Sequence, residues 1–218
     1  MARSRDAVDI IKGYYYQFDY FIFQLISLVN EEDTVTIEGI EDVDILEEKE
    51  MVAVQCKYYA KTEYNHSVIA KPIRLMLKDY VNRTPEKRKI RYKLYGKYQS
   101  GQDKYPGMLT VEFAKKNLFT YTEKKVVHVL HEELNLTDKD IEEFLDKVDV
   151  DINAEDYQEQ QDKVISGLEK IFGCDRFEAE YYYYNNALRL VKEIFLNQIQ
   201  VKLFLTSKRF LYLSRKHL

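Results

Sequence analysis

The chain has 218 residues, 45% of them hydrophobic, with 19 Tyr, no Trp and a net charge of −4. That length holds one large domain, or a core with an appended subdomain. No apolar run reaches membrane-span length and the opening residues lack a secretory pattern, so no membrane-spanning helix and a cytoplasmic setting are expected.

Cys56 and Cys174 have no metal-ligand spacing and require no disulfide. The charge is unevenly distributed. Between Glu132 and Asp162 thirteen Asp or Glu stand against two Lys. The remainder of the chain is therefore basic, and the whole-chain pI near 5.7 is a poor guide to an anion-binding face.

In chain order, Asp6–Val29 reads as a helix, with Ala7, Ile11, Tyr14, Phe18, Phe21, Leu25 and Leu28 at three- and four-residue steps. Gln17 lies just beside that stripe. Strand-type runs follow at Val35–Glu38, Asp42–Leu46 and Val52–Tyr59. Ser67–Asn82 reads as a second helix, in which Pro72 is tolerated only in the first turn. Residues Lys89–Tyr95 alternate, with Lys89, Arg91 and Lys93 on one side and Ile90, Tyr92 and Leu94 on the other. Beyond Gly101 the pattern predicts helices over Lys125–Glu133, Asp138–Val148 (capped by Thr137), Ala154–Phe172 and Asp175–Leu196. The expected division is 1–110 as a core and 111–218 as a mostly helical extension serving oligomerisation or partner binding.

Chemistry concentrates between Glu38 and Lys57. Glu47-Glu48-Lys49-Glu50 is a polar break suited to a hairpin between two strands. Alternation lets Glu38, Asp42 and Asp44 share one face, and puts Gln55 and Lys57 on one face of the next strand. Carboxylates beside a lysine on adjacent strands suit a Mg2+-dependent phosphodiesterase. The ion takes one or two carboxylates and keeps several waters, while the lysine neutralises developing negative charge. The same residues also suit the solvent face of an ordinary hairpin.

Asp42, followed thirteen positions on by Gln55-x-Lys57, resembles the PD-(D/E)xK nuclease signature in its Asp…Gln-x-Lys form. Gly13-Tyr14-Tyr15-Tyr16-Gln17 upstream and Glu38-x-x-Glu41-Asp42-Val43 complete an order similar to the nuclease domain of bacterial antiphage effectors. These are the CD-NTase-associated double-strand DNA endonucleases and related STAND-ATPase defence proteins. Glu41 stands where the signature has Pro, and Gln55 at the third acidic position. The resemblance implies an α/β fold with a restriction-endonuclease-like core (helix, mixed central sheet, helix), which the helix–βββαβ order of the predicted elements also fits. It implies Asp42, Gln55 and Lys57 as catalytic residues, with Asp42, Gln55, Glu38 and Asp44 as candidate ligands of Mg2+, for which Mn2+ would substitute. Gln17 becomes a candidate substrate contact.

The basic stripe with Lys89, Arg91 and Lys93 would track phosphates of double-stranded DNA. Lys208, Arg209, Arg215 and Lys216 form a second basic cluster. His128 and His131 lack a third metal ligand. Gly96–Gly101 has P-loop glycine spacing without the required Lys-Ser/Thr. Two functions emerge. One is a metal-dependent DNA endonuclease domain that assembles as a homo-oligomer or with further domains of a larger effector. The other is a non-catalytic module on the same scaffold that binds a protein partner.

Overall fold

The computed structural model describes residues 7–30, 32–47, 50–84 and 89–197; the C-terminal basic cluster from Lys208 lies outside them. In chain order the elements are α1 (Ala7–Ser27), β1 (Thr34–Ile37), β2 (Val43–Glu47), β3 (Glu50–Glu63), α2 (His66–Asn82) and β4 (Ile90–Ser100). Next come α3 (Val111–Asn117), β5 (Thr120–Glu123), β6 (Val126–Val129), α4 (Leu130–Glu133), α5 (Asp138–Leu145) and β7 (Val148–Asp151). The last are α6 (Tyr157–Phe172), α7 (Arg176–Glu178), a π-helical segment (Ala179–Tyr184) and α8 (Asn185–Asn197).

The fold is mixed α/β, with a five-stranded sheet in the order β1-β2-β3-β4-β7 and a separate β5–β6 ribbon. The chain forms two compact units: residues up to Tyr58 together with those from Ala154 onward, and the continuous stretch Tyr59–Asn153. Strand β3 contributes its first part to one and its last five residues to the other.

In the first unit β1, β2 and β3 pair antiparallel, with Val35 opposite Ile45 and Val43 opposite Val54. Helix α1 packs on α6, α8, β1 and β2. Its middle is buried on nearly every side, from Tyr16 through Leu25, because apolar residues there run contiguously rather than in one stripe. The predicted stripe fails at its start. Ile11 and Tyr14 are exposed, as is Ala7, because the packing partners of α1 meet it mainly from Tyr16 onward. The start of α6 is fixed by a capping box between Asp156 and Glu159, satisfying amides that a helix N-terminus leaves open.

In the second unit β4 and β7 pair parallel, with Tyr92 opposite Val148. The alternation of β4 buries Ile90, Tyr92 and Leu94 and leaves Arg91 outward. Helix α2 begins at an Asn65 cap and keeps Pro72 in its interior, beyond the first turn. This corrects the expectation for that proline. Pro72 is buried with Ile69, Ile73 and Met76, so packing compensates the lost backbone hydrogen bond.

Two predicted helices are also corrected. Lys125–Glu133 is the second strand of the ribbon followed by the short α4. Asp138–Val148 ends as a helix at Leu145 and then supplies β7, although its Thr137 cap is present as read from the sequence. The extension past residue 111 is thus less helical than expected. Both Cys56 and Cys174 are free thiols.

Candidate active site

The site begins where β1 ends. Glu38 turns the chain in a left-handed conformation, φ 53°, and its amide donates to the carbonyl of Asp42 at 2.9 Å. The short loop that follows is held by Asp44. Its Oδ2 accepts from the Ile40 amide at 2.5 Å and its Oδ1 from the Glu41 amide at 3.2 Å. Asp44 is buried, and two backbone donors satisfy a carboxylate that would otherwise be costly to desolvate. Position 39 must be glycine for this arrangement, since a Cβ there would collide with Asp44 Oδ2.

Asp42 sits immediately before β2, aimed at β3. Its Oδ2 accepts from the Cys56 amide at 2.8 Å and from Gln55 Nε2, and Lys57 Nζ stands 3.9 Å away. All three contacts fall on one oxygen; among the described residues, Oδ1 has no hydrogen bond or ion pair. Gln55 is buried and Lys57 half-buried. Glu38 belongs to the same cluster. Although it reaches solvent, its carboxyl is pushed above the ordinary range, first by desolvation and then by the charges of Asp42 and Asp44, with Lys57 opposing.

The structure therefore brings Glu38, Asp42, Asp44, Gln55 and Lys57 together. It separates Asp44 from Asp42 in role: Asp44 closes the loop, whereas Asp42 faces Gln55 and Lys57. Gln17 is half-buried on α1, and no hydrogen bond among the described residues joins it to the cluster. Lys89, Arg91 and Lys93 belong to the second unit. There Lys89 and Arg91 are exposed, and Lys93 Nζ lies 3.6 Å from Asp149 Oδ2.

The donor set fits a hard divalent cation of the Mg2+ kind. Asp42 offers a free oxygen, Glu38 a second carboxylate, and Gln55 a carbonyl once its amide turns over, an orientation set by its hydrogen-bond surroundings. Among the described residues, no three His, Cys, Asp or Glu side chains form a metal cage. Mg2+ takes one or two protein carboxylates and completes its shell with water and substrate phosphate.

One polar centre of the first unit escaped the sequence reading. Asp19, on α1, is fully buried and accepts at Oδ1 from the Tyr184 hydroxyl at 2.8 Å. Gln161 Nε2 donates to the same hydroxyl at 3.1 Å. Asp19 Oδ2 and Gln160 Oε1 are buried without a hydrogen-bond partner. Burial raises the Asp19 carboxyl from 3.8 to about 7, with the Tyr184 bond opposing. The only signal in the sequence was a single acid inside Tyr-Gln-Phe-Asp-Tyr-Phe.

No family model matches this chain, and no curated protein matches it. Among solved structures it is similar to a Moraxella osloensis Cap4 SAVED/CARF-domain containing receptor, at 14% identity and a TM-score of 0.50. The match covers 89% of this chain and 44% of the receptor, so the chain spans less than half the length of that protein. At this identity the likeness shows a shared fold. No helix among the described residues is long and apolar enough to cross a membrane.

Proposed function

We propose that this chain is a metal-dependent DNA endonuclease domain of a prokaryotic antiphage effector, with a restriction-endonuclease-like core, hydrolysing phosphodiester bonds in double-stranded DNA. The observation that carries this reading is the convergence of Gln55, the Cys56 amide and Lys57 on a single oxygen of Asp42, with Glu38 alongside. The fold likeness to a Cap4 SAVED/CARF-domain containing receptor supports a setting in antiphage defence, with cutting coupled to a receptor part.

Asp42, Gln55 and Glu38 would hold Mg2+, or Mn2+ in its place; bound there, the ion lowers the pKa of a water and stabilises charge on the phosphoryl oxygens. Lys57 holds its ammonium where negative charge gathers in the transition state and orients the attacking water by hydrogen bonding. The Cys56 amide keeps Asp42 aimed, its N–H donating to Oδ2 at 2.8 Å. Asp44 keeps the Glu38–Glu41 loop in the shape that presents Glu38.

A second reading, a non-catalytic module that binds a protein, draws on the exposed aromatics Phe177, Tyr181 and Tyr182. Plasmid cleavage with Mg2+ or Mn2+ separates the two, comparing the parent with Asp42→Ala and Lys57→Ala. Nicking by the parent alone supports the nuclease. Equal cutting by all three, or none by the parent with its receptor part engaged, refutes it.

A further inference from the structure

The β5–β6 ribbon of the second unit stands outside the main sheet. Its register sets Tyr121 opposite His128, Thr122 opposite Val127 and Glu123 opposite Val126. A two-stranded ribbon is marginal in water by itself, and this one is braced at its base. The Arg74 guanidinium lies 4.0 Å over the Tyr121 ring and donates to the Leu118 carbonyl at 2.8 Å. His128 stacks on Tyr121 at 5.0 Å and bonds Glu133 Oε1 at 2.8 Å.

The far end is built differently. Lys124 and Lys125 form the two-residue turn with φ of 49° and 68°. That is the double left-handed geometry for which Asn-Gly is the low-strain choice. Two lysines occupy it instead, both exposed, and among the described residues neither makes an ion pair. Glu123, next to Lys124 in sequence, forms no ion pair with either lysine among the described residues, and it is close enough to Arg74 to act on its charge. The tip therefore presents two exposed lysines without an ion pair among the described residues, at positions that carry backbone strain, an arrangement that points to function rather than stability.

Val126 and Val127, on opposite faces of the ribbon, are 56% and 64% exposed. Docking on a flat surface would need one apolar face; insertion into a groove uses both. The major groove of B-DNA, about 12 Å wide, admits a two-stranded ribbon. We propose that the β5–β6 ribbon is a duplex-DNA contact that enters a groove, with Lys124 and Lys125 on backbone phosphates. The inference rests on the proposed function only in taking double-stranded DNA as this chain's ligand, and it adds a contact that the basic stripe on β4 does not supply.

The test uses the full chain carrying Asp42→Ala, in EDTA, so that no cutting intervenes. Binding to a fluorescein-labelled 30-base-pair duplex is measured by anisotropy across a salt series, with and without Lys124→Asn/Lys125→Gly. The double variant relaxes the turn, so its thermal midpoint should hold or rise while its affinity for the duplex falls. Losing two phosphate contacts should reduce the slope of log K against log salt by about 2. Lys124→Arg/Lys125→Arg should keep the parental slope. Unchanged affinity and slope in the folded Asn-Gly variant overturn the proposal, as does absence of duplex binding by the parent. An altered sedimentation coefficient with unchanged DNA affinity overturns it in favour of a contact between copies. Duplex binding that weakens in the Asn-Gly variant, in a chain that never cuts with Mg2+ or Mn2+, sinks the nuclease reading and leaves the ribbon contact standing.

Discussion

Replacing Asp19 with Asn should stabilise this protein at pH 8 and flatten its response to pH. Asp19 is fully buried, and its carboxyl is raised from 3.8 to about 7, chiefly by burial. Folded protein therefore keeps a proton there over a range in which the unfolded chain has lost it. Its contribution to stability is complete below about pH 4, declines as pH rises, and is gone above about pH 7. At about 1.4 kcal/mol per pKa unit the span amounts to a ceiling of about 4 kcal/mol. Solvent penetration and relaxation lower the realised value. The Asn Oδ1 still accepts the Tyr184 hydroxyl that bonds Asp19 Oδ1 in the parent, so the variant removes the titration and keeps the contact. Urea unfolding of both proteins between pH 4 and pH 8.5 measures the effect. The two should agree near pH 4, and the variant should gain at least about 1 kcal/mol by pH 8, a conservative share of the ceiling. A variant that tracks the parent at every pH, or is weaker at pH 8, refutes the argument.

Gly39→Ala forces a Cβ onto Asp44 Oδ2 and should cost about 1–3 kcal/mol by displacing a buried carboxylate from its loop amides. Adding Asp44→Ala to it should cost less than the two changes summed, because they disrupt one contact; additive losses in urea unfolding would contradict this. Tyr98→Phe removes a hydroxyl that is buried without a partner and whose ionisation is pushed upward by burial. Thermal melting should show stability unchanged or higher by about 1 kcal/mol, and a loss of that size would mean that the hydroxyl is satisfied in solution.

The chain displayed its first half plainly and its second half poorly, for physical reasons. Ile90, Tyr92 and Leu94 alternate with charged residues, and one buried face produces that signature. Val126-Val127-His128-Val129-Leu130 fits a helical face as well as a strand, and the Lys124–Lys125 turn lacks the Asn or Gly that would mark a hairpin. Val148-Asp-Val-Asp151 alternates over only four residues, too few to outweigh the helix before it. At the candidate site, the meeting of Asp42, Gln55 and Lys57 was legible because a hairpin sets their spacing. The role of Asp44 was not. Strand alternation treated it as equivalent to Asp42, yet Asp42 precedes the strand and is aimed by the loop. The clue was local: a glycine five positions before an acid that two amides can reach. The Asp19–Tyr184 bond spans 165 positions, and no local pattern announces such a partner.

The division of the chain also fixes an order of events during synthesis. The second unit is one continuous stretch, Tyr59–Asn153, whereas the first is assembled from segments on either side of it. As the chain emerges from the ribosome, the inserted stretch has all its internal contacts available before the first unit can be completed. Helix α1, already made, must wait for α6 and α8, keeping Phe18, Phe21, Ile22 and Leu25 without their final cover. Contacts of such separation close slowly, and an apolar helix awaiting them is a natural client for a chaperone that shields nascent chains.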